Sequence, residues 1–294
     1  MNAKISKILL PVEFSERCRG AARYAEALAS HFQAELVLLH VVAPPYAAYA
    51  GGGDVSAYSS VAELLTDRLA QSRQDLNAFL GDAPASLRLC RMLLEGDPAA
   101  RIVEYAHIAH VDLIVMPTHG YGPFRRFLLG SVTAKALHDV DCPVWTGPHL
   151  ENAPAWTSIT LRRIACAVDF GMQTPAVLEW GAMMACEFGA KLVIVHAIPA
   201  ATSMAGGLSF DPDLRIQWEK DVRHRIAILQ ESLPVRAEVR IEPGDVPAAV
   251  GCAARAEDAD LLVIGRSHGS AAWGRLRANA YAILRESPCP VISV

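Results

Sequence analysis

Lys7-Ile-Leu-Leu-Pro-Val-Glu-Phe14 returns later in the chain as Arg163-Ile-Ala-Cys-Ala-Val-Asp-Phe170, and that recurrence decides the fold. Each stretch is a near-continuous apolar run closed by an acidic residue, the pattern of a strand buried on both faces. Ala34-Glu-Leu-Val-Leu-Leu-His40 returns as Ala190-Lys-Leu-Val-Ile-Val-His196 at the same displacement of 156 positions (163 − 7 and 190 − 34). Gly96-Asp97 answers Gly244-Asp245, and Asp112-Leu-Ile-Val115 answers Asp260-Leu-Leu-Val263, both displaced by 148 (244 − 96 and 260 − 112). Thr118-His-Gly120 with Ser267-His-Gly269, and Cys142-Pro-Val144 with Cys289-Pro-Val291, complete six matched blocks in one order. A repeat of this kind is one structural unit written twice. The drop from 156 to 148 means that the second copy lost about eight residues in its middle. The 294 residues divide into a first domain at 1–147, a proline- and polar-rich linker at 148–158 and a second domain at 159–294.

The first copy sets the layout. A strand at Ile8–Val12 leads into an alanine-rich helix, Ser15–Phe32, with Ser15 as its N-cap. A second strand, Leu36–Val42, precedes an irregular loop, Pro44–Ser60, and a helix, Val61–Leu80. After a strand around Leu87–Leu93, Gly96-Asp97-Pro98 opens another helix, with Asp97 as N-cap and Pro98 in the first turn. A fourth strand at Leu113–Met116, a helix at Gly130–Val140 and a fifth strand at Pro143–Thr146 follow. Alternating strands and helices, with strands apolar on both faces, predict an α/β fold. It consists of two tandem doubly wound, Rossmann-like domains, each a five-stranded, mainly parallel sheet flanked by helices.

Composition narrows the function. A net charge of −4 gives no reason to expect a nucleic acid or an anionic membrane as partner. The seven cysteines are scattered, with no CxxC, so neither a zinc ribbon nor a dithiol redox site is indicated. Reduced, mostly buried thiols in a cytoplasmic protein are the expectation. The apolar run at Ile8–Val12 is too short for a secretory signal, and no stretch approaches the ~20 residues needed to span a bilayer.

In open α/β sheets, ligands bind beyond the carboxyl ends of the strands, where the strand order reverses. Pro11-Val-Glu13, His40-Val-Val42 and the loop Met116–Ser131 are placed there in the first copy. Gly120 and Gly122 permit sharp turns and close approach to a ligand. Gly130-Ser131 opens a helix, where amides and the helix dipole favour an anion, and Arg125 and Arg126 add positive charge.

At these residues the chain resembles the universal stress proteins, over both Lys7–Thr146 and Arg163–Val294. The family's ATP-binding members carry G-x2-G-x9-G-(S/T) after the fourth strand. Here the segment reads Pro117-x2-Gly120-x9-Gly130-Ser131, and Glu13 stands where the family places a strand-end aspartate. The resemblance implies that Pro11, Glu13 and Val41 hold the adenosine of an ATP and that Gly120, Gly130 and Ser131 hold its phosphates. Val12, Met116, Pro117 and Val132 complete that site, and Mg2+ enters only with the nucleotide. It also implies that the two copies pair through their last strands, and leaves open whether two chains pair further as a homodimer.

The second copy inverts the pattern. It keeps Asp169, but its loop, Gly265-Arg-Ser-His-Gly-Ser-Ala-Ala-Trp-Gly-Arg, is followed by no Gly-Ser or Gly-Thr before Pro288. It is expected to be structural, with Arg266, Arg275 and Arg277 as the residues that would attract a phosphate. Elsewhere, Glu104, His107 and His110 have a spacing that can bind metal but also suits a solvated helix face. His119 and His268 read as loop-shaping, and Gly51-Gly-Gly53 with Tyr46, Tyr49 and Tyr58 as a surface loop. No GxSxG supports a hydrolase, and no residue is placed to activate water, so any ATPase activity would be slow. Three rivals are weighed. A scaffold that binds no nucleotide is favoured by Glu13 and Pro117. An adenylating enzyme needs a Ser-Gly-Gly-x-Asp-Ser loop where Phe14-Ser-Glu-Arg-Cys stands, and a receiver domain needs an acidic pair at the first strand end.

Overall fold

The computed structural model describes residues 5–44, 55–118, 129–147, 150, 153–198, 212–266 and 278–294, with backbone alone at 55–62, 212–215 and 278. The first half runs β1 (Lys7–Pro11), α1 (Glu16–Phe32), β2 (Glu35–Val42), α2 (Val55–Ala78), β3 (Arg88–Glu95), α3 (Pro98–Ile108), β4 (Leu113–Val115), α4 (Ser131–Asp139) and β5 (Val144–Thr146). The second repeats the order as β6 (Arg163–Ala167), α5 (Thr174–Phe188), β7 (Lys191–Ile198), α6 (Pro212–Gln230), β8 (Glu238–Pro243), α7 (Val246–Ala256), β9 (Leu261–Ile264), α8 (Ala278–Glu286) and β10 (Val291–Ser293). One expectation is corrected here. The loop placed at Pro44–Ser60 gives way to helix from Val55 onward, a start that the cap-type residue Asp54 signals in the sequence but the Gly51-Gly-Gly53 run before it overshadows. The corresponding α6 has 19 residues against 24 in α2, which accounts for part of the shortening of the second copy.

The strands form a single ten-stranded sheet in the order β3-β2-β1-β4-β5-β10-β9-β6-β7-β8. Among the described residues every pairing within a half is parallel, and β5 and β10 alone pair antiparallel, Trp145 opposite Ile292. The two copies therefore do pair through their last strands. Side chains alternate between two cores. Ile8, Leu10, Leu36 and Leu38 face α1 and α2, whereas Leu9, Val37 and Leu39 face α3 and α4. At the seam, a Cβ added to Gly147 would lie 3.1 Å from the Pro290 Cα, so the backbones meet where a side chain has little room.

The matched blocks have physical roles. Asp112 accepts from the Ser6 and Lys7 amides at 2.8 and 2.9 Å, and Asp260 from the Arg162 and Arg163 amides at 2.7 and 3.0 Å, anchoring the starts of β1 and β6. The Lys7 ammonium donates to the Ala109 carbonyl and the Arg163 guanidinium to Glu257, one cation closing each of α3 and α7. Gly96 and Gly244, at φ 133° and 143°, take a backbone that only glycine adopts readily. Ser15 caps α1 through the Cys18 amide and Asp97 caps α3 through the Ala100 amide, as the sequence predicts. The segment joining the halves packs against the body. Leu150 and Ala153 are buried, Trp156–Ser158 form a 3-10 turn, and the Arg23 guanidinium donates to the Ala153 carbonyl.

All seven cysteines are free. The expectation of mostly buried thiols needs amending, since Cys186 and Cys252 are exposed. Burial pushes Cys18 up to about 11 and Cys142 and Cys289 up to about 12, so these thiols act as packing groups at neutral pH.

Glu26, buried on α1, is pushed up to about 7 by burial and by Asp82, against the opposing pull of Arg23. Its folded value lies above its unfolded one, so its contribution is intact in acid and is lost as pH rises through about 7. Glu26→Gln should match the parent in thermal midpoint at pH 4, exceed it increasingly up to about pH 7, and keep a constant advantage above that. A difference that stays constant across that whole range in a thermal melt series would contradict this.

Candidate functional site

In each half the strand order reverses between the first and fourth strands, β1 and β4 or β6 and β9. The chain leaves β1 through Val12, whose amide donates to the Leu39 carbonyl at 2.8 Å. The Val12 carbonyl lies 2.6 Å from His40 Nδ1; a carbonyl only accepts, so Nδ1 carries the proton. Phe14 then turns at φ 66°, a conformation rare for an aromatic residue, and its ring rests 4.6 Å from that of His40. The second half repeats this. Val168 meets His196 Nδ1 at 2.8 Å, Phe170 has φ 59°, and the rings lie 4.5 Å apart. Burial holds His196 below the usual imidazole range, although the Val168 carbonyl favours its proton. Strain kept twice at the same strand end marks a shaped wall rather than an accident of packing. The sequence signal was present, because Phe14, His40 and their counterparts lie inside the matched blocks. Their conformation was not legible.

Around the first switch point, Pro11, Glu13 and Val41 are half-buried and Val12 is buried. The Glu13 carboxylate accepts from Ser15 Oγ at 2.8 Å, tying it back to the α1 cap. Met116 and Pro117 are buried. The Met116 amide donates to the Trp145 carbonyl at 3.0 Å, and the Pro117 carbonyl accepts from Thr133 Oγ1 at 3.0 Å. The Gly130 amide donates to the Thr118 carbonyl at 2.8 Å, which draws the start of α4 against the end of β4. Gly130 caps α4 with no side-chain hydrogen bond, so the amides of the first turn, Ser131 and Val132 among them, have no intrahelical acceptor. The structure thus brings Pro11, Val12, Glu13, Val41, Met116, Pro117, Gly130, Ser131 and Val132 to one end of the sheet. Gly120, Gly122, Arg125, Arg126 and His119 lie outside the described residues, as do Gly51–Gly53, Tyr46, Tyr49, His268, Arg275 and Arg277.

The second switch point opens into a cavity of about 390 Å³ lined by Val168, Asp169, Gln173, Thr174, His196 and Asn279, among others. Asp169 is exposed, and its Oδ1 accepts from the Gly171 amide at 2.7 Å. Arg225 of α6 lies over the Phe170 ring at 4.0 Å. The expectation that Arg266 attracts a phosphate is corrected. It is 1% exposed and its guanidinium is engaged by backbone carbonyls of the first half. The histidine pair on α3 is also corrected. The helix ends at Ile108 and His110 lies beyond it at φ 49°, while His107 faces Asp141 at 3.3 Å. Among the described residues, no three His, Cys, Asp or Glu side chains are grouped to hold a metal ion, and no helix is long and apolar enough to cross a membrane.

Known proteins agree with this architecture. The family model for the Universal stress protein family matches twice, at residues 4–146 and 160–294. A universal stress protein of Methanocaldococcus jannaschii is 31% identical over 139 residues, 47% of this chain and 79% of that protein. One of Thermus aquaticus is 31% identical over 137 residues, 47% and 94%. A solved universal stress protein structure from Archaeoglobus fulgidus aligns over 99% of this chain and 98% of its own, with a TM-score of 0.65 at 21% identity, a likeness of fold.

The two threonines at the switch points differ in a way that stability can read. Thr133 spends its buried hydroxyl on Pro117, whereas the buried Thr174 hydroxyl has no partner among the described residues. Thr133→Val should cost about 1–3 kcal/mol by orphaning a carbonyl, and Thr174→Val should be close to neutral. Urea denaturation at pH 7 measures both, and equal costs would contradict the assignment.

Proposed function

The chain belongs to the universal stress protein family as a tandem member, and from that premise we propose that its first half binds an adenine nucleotide, ATP foremost, as a cytoplasmic stress-response regulatory module. The observation that carries the reading is the start of α4. A helix whose glycine cap supplies no side chain to its first-turn amides begins beside the carboxyl end of β4. Such a terminus concentrates partial positive charge and N–H donors where a phosphate group has oxygens to offer.

The residues fit that group. Pro11 and Val41 supply an apolar wall for the adenosine, with the buried Val12 packed behind it, and Glu13 offers a carboxylate to its hydroxyls in exchange for Ser15. Ser131 and Val132 offer amides to the phosphates, and Gly120 would extend the cradle. Bound ATP would bring its own Mg2+, and the output is occupancy rather than turnover. A second reading, a scaffold that takes no nucleotide, is favoured by one observation: Glu13 already has a partner in Ser15.

Gly130→Asp separates the two readings. Gly130 sits at φ −63°, where any residue is comfortable, and aspartate is a good N-cap, so the variant should fold at least as well as the parent. Its carboxylate would occupy and repel the anion position. Calorimetric titration should show ATP binding to the parent and at least about tenfold weaker binding to the variant. Equal affinities, or no binding by the parent, would rule out the nucleotide reading.

A further inference from the structure

Both ends of α4 are held by the second half of the chain. At its start, the Leu129 amide, one residue before the glycine cap, donates to the Tyr281 hydroxyl of α8 at 3.0 Å. At its far end, Arg266 Nη1 donates to the Leu137 and Val140 carbonyls at 3.0 and 3.4 Å, and Nη2 to Cys142 at 2.7 Å. These carbonyls include those a helix leaves unsatisfied at its C-terminus, and a guanidinium there also meets the negative end of the helix dipole.

The first half has neither of these side chains at the equivalent positions. Helices α4 and α8 are displaced by 147 (278 − 131), so the position of Tyr281 corresponds to Ala134, which has no hydroxyl. At the displacement of 148 that relates β4 to β9, Arg266 stands where the first half has Thr118 (266 − 118), which carries no guanidinium. The half that lacks a Gly-Ser helix start therefore carries the two side chains that grip the helix of the half that has one.

We propose that Tyr281 and Arg266 are positioning residues for the phosphate end of the first-half site, which is completed across the seam by the second copy. This rests on the nucleotide reading above for its ligand. Tyr281 fixes the backbone leading into Gly130, and Arg266 fixes the axis of α4, so the first-turn amides keep their aim before any ligand arrives. Preorganised donors of this kind reduce the ordering cost of binding.

Amide hydrogen exchange on the ligand-free full chain, with titrations by ATP and by adenosine, tests the proposal. Tyr281→Phe deletes one oxygen. It should speed exchange at the hydrogen-bonded amides of this stretch, Leu129, Gly130 and Ala134, by about fivefold, leave α3 unchanged, and weaken ATP by about fivefold while sparing adenosine. Arg266→Met should show the same pattern more strongly, and Arg266→Lys should recover part of it. If the methionine variant fails to fold, the phenylalanine variant decides. Unchanged exchange at those amides in Tyr281→Phe, or equal losses for ATP and adenosine, would overturn the proposal. If the parent binds no ATP, the nucleotide reading falls by itself. The exchange arm then still decides whether the second half positions α4.

Discussion

Three residues from each half, Val144–Thr146 and Val291–Ser293, make the one antiparallel pairing among the described strands, and the rest of the architecture follows from it. A parallel five-stranded sheet ending at β5 would expose a row of unpaired amides and carbonyls at an edge. Joining it to a second copy about a twofold axis removes that edge, and a twofold makes equivalent strands antiparallel. Trp145 and Ile292 stand at equivalent places in their copies (292 − 145 is the 147 that relates α4 to α8) and face each other across the axis. The close approach of Gly147 and Pro290, and the buried Trp145 ring beside Tyr24, show that the seam is core rather than contact surface.

Fusion of the copies frees equivalent positions to diverge, which a homodimer cannot do. A symmetric pair would set tryptophan against tryptophan at the axis; here a large ring meets an isoleucine. His31 and Glu187 are equivalent residues (187 − 31 is 156) and lie 3.6 Å apart, an imidazole facing a carboxylate where identical copies would place two like groups. His31 also stacks on Phe188 at 4.0 Å. The same freedom explains why the glycine-serine helix start survives in one copy while Arg266 and Tyr281 arise in the other.

Much of the fold was legible because buried parallel strands are written as apolar runs, and a repeat doubles the evidence for each. Capping residues Ser15 and Asp97 fixed two helix starts. The start of α2 was overlooked because the Gly51-Gly-Gly53 run reads as loop and outweighed the cap-type residue Asp54 beside Val55. Arg266 misled because an arginine in a glycine-rich loop reads as a phosphate ligand. Only the three-dimensional pairing of the halves brings the α4 carbonyls to it. Phe14 and Phe170 show a related limit: composition cannot report a positive φ in a residue that ordinarily avoids one. The candidate site was legible as a set of strand ends, but its dependence on the other copy was not, because no local pattern encodes a contact 152 residues distant.

The central claim is that the two copies are one folding unit joined through β5 and β10. Native-state hydrogen exchange at Val144–Thr146 and Val291–Ser293, compared with the central strands β1 and β6, tests it most directly. A single cooperative unit predicts that all four segments exchange with the same free energy, that of global unfolding. Seam amides that exchange through a lower-energy opening, while β1 and β6 stay protected, would show two domains that merely touch.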